Sequence, residues 1–246
     1  MEVLKAENIA KLYDGVKVIN QINVHLKKGE IVSLLGVSGV GKTTLFHILS
    51  GLVNPDEGRV VLNGEDITGK SGKISYMQQK DLLLPHKKII DNVSLPCIIK
   101  GMKKKEARKK VEPLFQQFGL EGCQYKYPCQ LSGGMRQRAA FLRTYVSSNG
   151  VALLDEPFSA LDTLTKSAMH KWYLDMMKQI EMGTLFITHD IAEAIQLSDR
   201  IYVLGGKPGI IKKEICIEQE KPRKEDFEFS KAYAEYKKQI LEALTT

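Results

Sequence analysis

The chain has no run of the roughly 18 apolar residues that a membrane span needs; its longest candidates, near Ile31 and Leu45, are broken by glycines and by Lys42. Its first residues, Met1-Glu2-Val3-Leu4-Lys5-Ala6-Glu7, lack the basic segment and apolar stretch of a secretion signal, and a cytosolic location is expected. The four cysteines, Cys97, Cys123, Cys129 and Cys216, show neither C-x-x-C spacing nor a neighbouring histidine pair, which excludes a zinc site and a disulfide framework and leaves reduced thiols. Acidic residues are in deficit, 29 against 36 Lys and Arg, for a net charge of +7. The excess gathers in Lys100-Gly101-Met102-Lys103-Lys104-Lys105-Glu106-Ala107-Arg108-Lys109-Lys110, either a solvated helix face or a surface for anionic lipid headgroups or nucleic acid. With 246 residues, 43% hydrophobic and 26% charged, the chain can bury the core of one large α/β domain or two modest ones.

What the chain does have is Gly36-Val37-Ser38-Gly39-Val40-Gly41-Lys42-Thr43-Thr44, which satisfies G-x-x-x-x-G-K-S/T at every fixed position. The apolar run Ile31-Val32-Ser33-Leu34-Leu35 before it reads as a buried parallel strand, and the segment from Lys42 to Leu49 after it as a helix. Strand, glycine loop and helix come in the order a phosphate cradle requires: glycines let the backbone approach the anion, and amide groups with the helix N-terminus point at it. Lys42 is expected to reach the β- and γ-phosphates and the Thr43 hydroxyl to ligate Mg²⁺.

From Val3 to Glu30 apolar residues alternate about the turns Asp14-Gly15 and Lys28-Gly29, which predicts a small antiparallel β portion. Tyr13 lies in it, either as a strand residue or as a flat face for an adenine ring. Beyond the phosphate loop, Asn54-Pro55-Asp56-Glu57-Gly58 is a turn, Arg59 to Gly64 a strand, and Lys73 to Gln79 a short strand ending on Gln79, where parallel sheets open toward ligands. From Asp81 to Gln130 the periodicity turns helical and Lys-rich, with stops at Gly101 and Gly119, which predicts a helical insertion. It ends at Leu131-Ser132-Gly133-Gly134-Met135-Arg136-Gln137, a second loop opening a helix, and two such helix starts call for two anions or two chains. Val151-Ala152-Leu153-Leu154-Asp155-Glu156 is a buried strand ending in paired carboxylates, one suited to Mg²⁺ and the other to taking a proton from water. Leu185-Phe186-Ile187-Thr188-His189 repeats the design with His189 at the tip. A charged linker from Glu218 to Asp226 precedes an amphipathic helix from about Ser230 to Leu244, expected to pack on the domain.

With these motifs in this order, and with Ser159-Ala160-Leu161-Asp162 after the acidic strand, the chain resembles the ATP-binding subunit of ABC transporters over residues 2 to 218. The resemblance implies a P-loop NTPase (RecA-like) α/β domain over 1–218, with a parallel sheet core, an N-terminal antiparallel β portion and a helical subdomain at about 81–147, followed by a linker and helix over 219–246. It implies ATP and Mg²⁺ as ligands: Gly36, Ser38, Gly39, Gly41, Lys42, Thr43 and Thr44 on the phosphates, Tyr13 on the adenine, and Thr43, Gln79 and Asp155 about the metal. Glu156 becomes the base that polarises water, His189 the γ-phosphate contact and Gln79 the loop that reports to a membrane partner. Asp162 belongs to a loop crossing a dimer interface, and Ser132, Gly133 and Gly134 close over the ATP of the other copy. The implied partners are a second copy, integral-membrane permease subunits and, through them, an extracytoplasmic solute-binding protein, at the cytoplasmic face of the membrane and without nucleic acid.

Tyr127-Pro128, Asp155-Glu156-Pro157-Phe158-Ser159-Ala160-Leu161-Asp162 and Thr188-His189-Asp190-Ile191-Ala192-Glu193-Ala194 are similar to the importer branch for nitrate, sulfonates, taurine and thiamine precursors. Phe141-Leu142-Arg143-Thr144-Tyr145 and Leu197 to Leu204 look most like the subunits for the thiamine pyrimidine precursor. His86 stands where that branch has Trp, and Val37 and Val40 replace commoner loop residues without touching a phosphate-contacting position. Two other classes are weighed. A soluble ABC ATPase acting on nucleic acid or ribosomes would carry tandem cassettes or a coiled-coil insertion, and a small-molecule kinase an acceptor pocket and an Arg-rich lid.

Overall fold

The computed structural model describes residues 1–245. In chain order, β1 (Glu2–Tyr13) and β2 (Val16–Lys27) form a hairpin, β3 (Ile31–Gly36) leads into α1 (Lys42–Leu49), and β4 (Glu57–Leu62), β5 (Glu65–Asp66) and β6 (Ser75–Met77) follow. Next come α2 (Ile89–Ile99), α3 (Lys104–Val111), α4 (Leu114–Gln117) and α5 (Gly133–Ser147). The chain closes with β7 (Val151–Asp155), α6 (Thr163–Ile180), β8 (Gly183–Thr188), α7 (Ile191–Leu197), β9 (Arg200–Gly205), β10 (Ile210–Cys216) and α8 (Lys231–Thr245).

Two sheets result. The antiparallel one runs β2-β1-β4-β5 and the larger one β10-β9-β3-β8-β7-β6, parallel from β9 to β6 with β10 antiparallel at its edge. The parallel strands are short apolar runs because both their faces are covered. In β7, Ala152 and Leu154 pack with Phe141, Met169 and Tyr173 on the helical side, whereas Val151 and Leu153 pack with Ile9, Ile22 and Phe46 between the sheets. β8 alternates likewise, Phe186 to the helices and Leu185 and Ile187 to the other side. The fold is thus a P-loop-type α/β domain with an antiparallel β layer and helices at one end. The carboxyl ends of β3, β7 and β8 lie side by side, the edge where open parallel sheets hold ligands.

Within the helical stretch, α2 and α4 end just before Gly101 and Gly119, both at positive φ, as the glycine stops imply. The basic run is mostly a solvated face: α3 buries only Ala107 and Val111, while Arg108 forms a two-pronged pair with Asp91 (2.9 and 2.8 Å) that Lys104 joins. Of the three leucines before Pro85, Leu82 is exposed and Leu83 is buried in the helical core. α8 packs on the sheet through Tyr233, Ile240 and Ala243, beside Ile201, Val203 and Ile215.

Candidate active site

The loop after β3 is shaped by its glycines. Gly41 has φ +105°, and a Cβ there would fall 2.3 Å from Ile19 Cγ2 of β2, so only glycine lets the hairpin close on the loop. Lys42 opens α1 and its side chain lies inside the loop, Nζ donating to the Gly36 carbonyl (2.7 Å) and the Val37 carbonyl (2.9 Å). Burial lowers its pKa, against the opposing pull of the Glu156 and Asp155 carboxylates. Val37, Ser38 and Gly39 are exposed along the loop, and Thr43 is exposed in the first helical turn with Thr44 half-buried behind it.

Asp155 ends β7 half-buried, accepting a hydrogen bond from the Tyr76 hydroxyl at 3.0 Å. Burial pushes its pKa up, partly offset by the Tyr76 bond. Glu156 follows in the left-handed region at φ +44°, a strained conformation for a side-chain-bearing residue. Gln79 Nε2 donates to Glu156 Oε2 at 3.1 Å, and His189 Nδ1 lies 3.2 Å from Oε1. The Ser159 hydroxyl donates to the Glu156 carbonyl at 3.0 Å, and the Glu156 N–H to the Ile187 carbonyl at 3.1 Å, so β8 and the loop after β7 hold the Glu156 backbone in place. Gln79, Glu156 and His189, the polar tips of β6, β7 and β8, are thereby one constellation beside Lys42.

Other expected site residues lie elsewhere. Tyr13 ends β1 partly exposed, with Lys11 Nζ 5.5 Å from its ring centroid, on the hairpin that touches the loop through Ile19. Ser132 caps α5, accepting from the Met135 N–H at 3.3 Å. The nearest atoms to a Cβ on Gly133 and Gly134 belong to Leu161, Thr165 and Met169, all outside the phosphate loop. Asp162 caps α6, accepting from the Thr165 N–H at 3.1 Å, and the Thr165 hydroxyl together with that N–H holds its carboxyl below the usual range. Gly133 and Arg136 do share with Gln79, Glu156 and His189 an open cleft of about 790 Å³.

Among the described residues, no group of three or more His, Cys, Asp or Glu is arranged to hold a metal ion. One hydroxyl, Thr43, and one carboxylate, Asp155, form a donor set that fits Mg²⁺ bound chiefly through phosphate and water rather than in a protein cage. Sequence reasoning passed over Tyr76, which orients Asp155, and over Lys166, His170 and Glu193 behind His189. For the latter, the signal was the four-residue spacing of Asp162, Lys166 and His170 on one helix face.

Residues 19–159, more than half of the chain, match the ABC transporter family. The chain is 45% identical over 208 residues to the formylaminopyrimidine import ATP-binding protein of Halalkalibacterium halodurans, covering 84% of this chain and 81% of that one. It is 37% identical over 227 residues to an aliphatic sulfonates import ATP-binding protein of Bacillus cereus, covering 92% and 88%. Among solved structures, it is similar to a bacterial ABC transporter cassette determined as a dimer (TM-score 0.74, 29% identity, 88% of this chain and 100% of that one). It is also similar to cbiO1 of Clostridium perfringens, part of the ABC transporter complex cbiONQ (TM-score 0.80, 26% identity, 97% and 99%). With the glycine loop, the paired carboxylates and the terminal histidine meeting on one sheet edge, the chain belongs to the ABC transporter family.

Proposed function

We propose that this chain is the ATP-binding and ATP-hydrolysing subunit that energises an ABC importer of a small solute. One observation carries the reading: a carboxylate at the end of β7, held on one oxygen by Gln79 and on the other by His189, faces the lysine of a phosphate loop. Lys42 and the loop amides bind the phosphates, with Gly36, Ser38, Gly39, Gly41, Thr43 and Thr44 shaping the cradle. Glu156 orients the attacking water and takes its proton, His189 donates toward the γ-phosphate, and Tyr13 lies against the base. Mg²⁺, when bound, neutralises charge on the phosphates; Thr43 and Asp155 hold it, with Gln79 nearby.

A second copy supplies Ser132, Gly133, Gly134 and Asp162 across the site, a reading supported by Gly133 and Gly134, where the nearest neighbours of a Cβ are Leu161, Thr165 and Met169 and no atom of the chain's own phosphate loop. The relatives named for formylaminopyrimidine and for aliphatic sulfonates support a solute of either kind, a pyrimidine precursor or a small sulfonate- or nitrate-like anion. No helix among the described residues is long and apolar enough to cross a membrane. The import ATP-binding proteins among its relatives support a subunit that acts through integral-membrane permease partners at the cytoplasmic face, fed by an extracytoplasmic solute-binding protein. The helical part, 81–147, meets the permease, and residues 219–246 are an appended linker and helix. A nucleic-acid or ribosomal role has no comparable support.

The test is Glu156→Gln in the purified chain. ATP binding persists while turnover falls on the order of 10²-fold or more, because the amide keeps the shape and loses the proton acceptor. Near-normal hydrolysis would remove Glu156 from its role.

A further inference from the structure

Behind His189 and Asp162 lies a charged cluster outside the phosphate site. Asp162, Lys166 and His170 recur every fourth residue and share one face at the start of α6. Lys166 Nζ is 2.7 Å from Asp190 Oδ2 and 3.2 Å from Glu193 Oε1, and His170 Nε2 is 3.0 Å from the same Glu193 oxygen. Asp190 is the residue after His189. It caps α7 by accepting from the Glu193 N–H (3.1 Å), and its own N–H donates to the Thr188 hydroxyl (3.0 Å). The His170 ring stands edge-on to Phe158, with centroids 4.8 Å apart, so the cluster also touches the segment that follows Glu156. Lys166, Asp190 and Glu193 line, together with Glu156 and His189, a cavity of about 90 Å³.

An exposed ion pair would contribute little, but this one is sunk into the protein. The Glu193 side chain is 4% exposed and that of Lys166 23%. Burial pushes the Glu193 carboxyl up, yet His170, Thr188 and Lys166 together hold it below its ordinary value. Such a network is costly to break from one side, because the remaining charge stays buried.

We propose that Lys166 is a positioning residue for ATP hydrolysis. By bracketing Asp190 and Glu193 to the helix that Asp162 caps, it ties the seat of His189 against Glu156 to the loop at Asp162, so that the two move as one body. The inference rests on the roles of Glu156 and His189 given above. Without the lysine, the turn holding His189 keeps its own cap and the His170–Glu193 contact but loses the tie from Asp190 to α6, and displacements of about 1 Å near reacting atoms cost on the order of 10²-fold in rate.

Steady-state ATP hydrolysis by the purified chain tests this, with Lys166→Met and Lys166→Arg compared with wild type and with Glu156→Gln and His189→Ala as references. Lys166→Met should lose on the order of tenfold or more in kcat while KM for ATP stays within about twofold. Lys166→Arg should recover most of the loss, since a guanidinium can bridge both carboxylates. A purely structural lysine would lower the melting temperature without this split. Wild-type kcat in Lys166→Met beside impaired references overturns the bracket alone; normal turnover in the references overturns both it and the roles it rests on. Equal loss in Met and Arg variants also overturns it. Should Lys166→Met not fold, Asp190→Asn takes its place: the amide keeps the helix cap and gives up the ion pair. Reduced kcat at unchanged KM then supports the bracket, and unchanged kcat overturns it.

Discussion

At the scale of single residues, the phosphate loop distinguishes two glycines that its sequence pattern treats alike. Gly39 and Gly41 both have positive φ, +78° and +105°, but a Cβ on Gly39 meets nothing within 4 Å, whereas one on Gly41 falls 2.3 Å from Ile19 Cγ2. Alanine at either position carries backbone strain of about 1–3 kcal/mol. At Gly41 it must also displace a fully buried isoleucine that anchors the antiparallel layer. Gly41→Ala is therefore expected to lower both the melting temperature and ATP affinity more than Gly39→Ala does, read by thermal unfolding and by direct nucleotide titration. Equal effects would mean that contact with β2 does not shape the loop. Ser38 and Thr43 add no such constraint, since both residues are exposed.

At the scale of elements, the units most legible from sequence were strands buried on both faces and ending on a polar residue. Val151 to Leu154 and Leu185 to Ile187 are apolar without interruption, and Ile31 to Leu35 is broken only by the buried Ser33. The residues just beyond them, Asp155 with Glu156, His189 after Thr188, and the glycine loop, therefore mark both strand ends and places in the candidate site. The hairpin was legible through Asp14-Gly15, although its register shifts are not, because bulges leave no periodic trace. What could not be read were pairings between distant polar residues: Tyr76 with Asp155, or Lys166 with Asp190 and Glu193, where each partner alone looks like an ordinary solvated residue. The joint between α6 and α7 makes a prediction about acid. Asp190 and Glu193 are buried enough to be pushed up, but their partners (Lys166 on Asp190; His170, Thr188 and Lys166 on Glu193) hold both below the ordinary 3.8 and 4.5. A carboxyl depressed by folding adds stability above its unfolded pKa and loses it as pH falls through the folded value. The melting-temperature gap between wild type and Lys166→Met should then be widest near neutrality and shrink below about pH 4.5. A gap independent of pH would show that the lysine contributes by packing and not by charge.

At the scale of the whole molecule, two surfaces remain for partners. The first is the loop running from Gln79 into α2. Leu83, in the middle of the leucine triplet, faces the core, while Leu82 is exposed at φ +46° with its carbonyl accepting from Arg143 at 2.7 Å. A docking probe therefore belongs at Leu82. A cysteine there, in a chain freed of its native cysteines, should crosslink to a membrane subunit in the assembled complex, and crosslinks confined to the chain itself would place the coupling surface elsewhere. The second surface surrounds the start of α5 and α6, where Ser132 is exposed and Leu164, next to the Asp162 cap, is 83% exposed. Each copy carries a net charge of +7, and bringing two together raises a repulsion that polyphosphate between them would offset and that salt would screen. Dimer formation should thus depend on ATP. Size exclusion of the Glu156→Gln chain, which holds ATP without consuming it, is expected to give a monomer without nucleotide and a dimer with it. Adding Leu164→Asp should restore the monomer in the presence of ATP while leaving nucleotide affinity in place, because an aspartate there adds like charge beside Asp162 but lies outside the chain's own phosphate loop. A dimer that forms equally without ATP, or one indifferent to Leu164→Asp, would put the contact on another face.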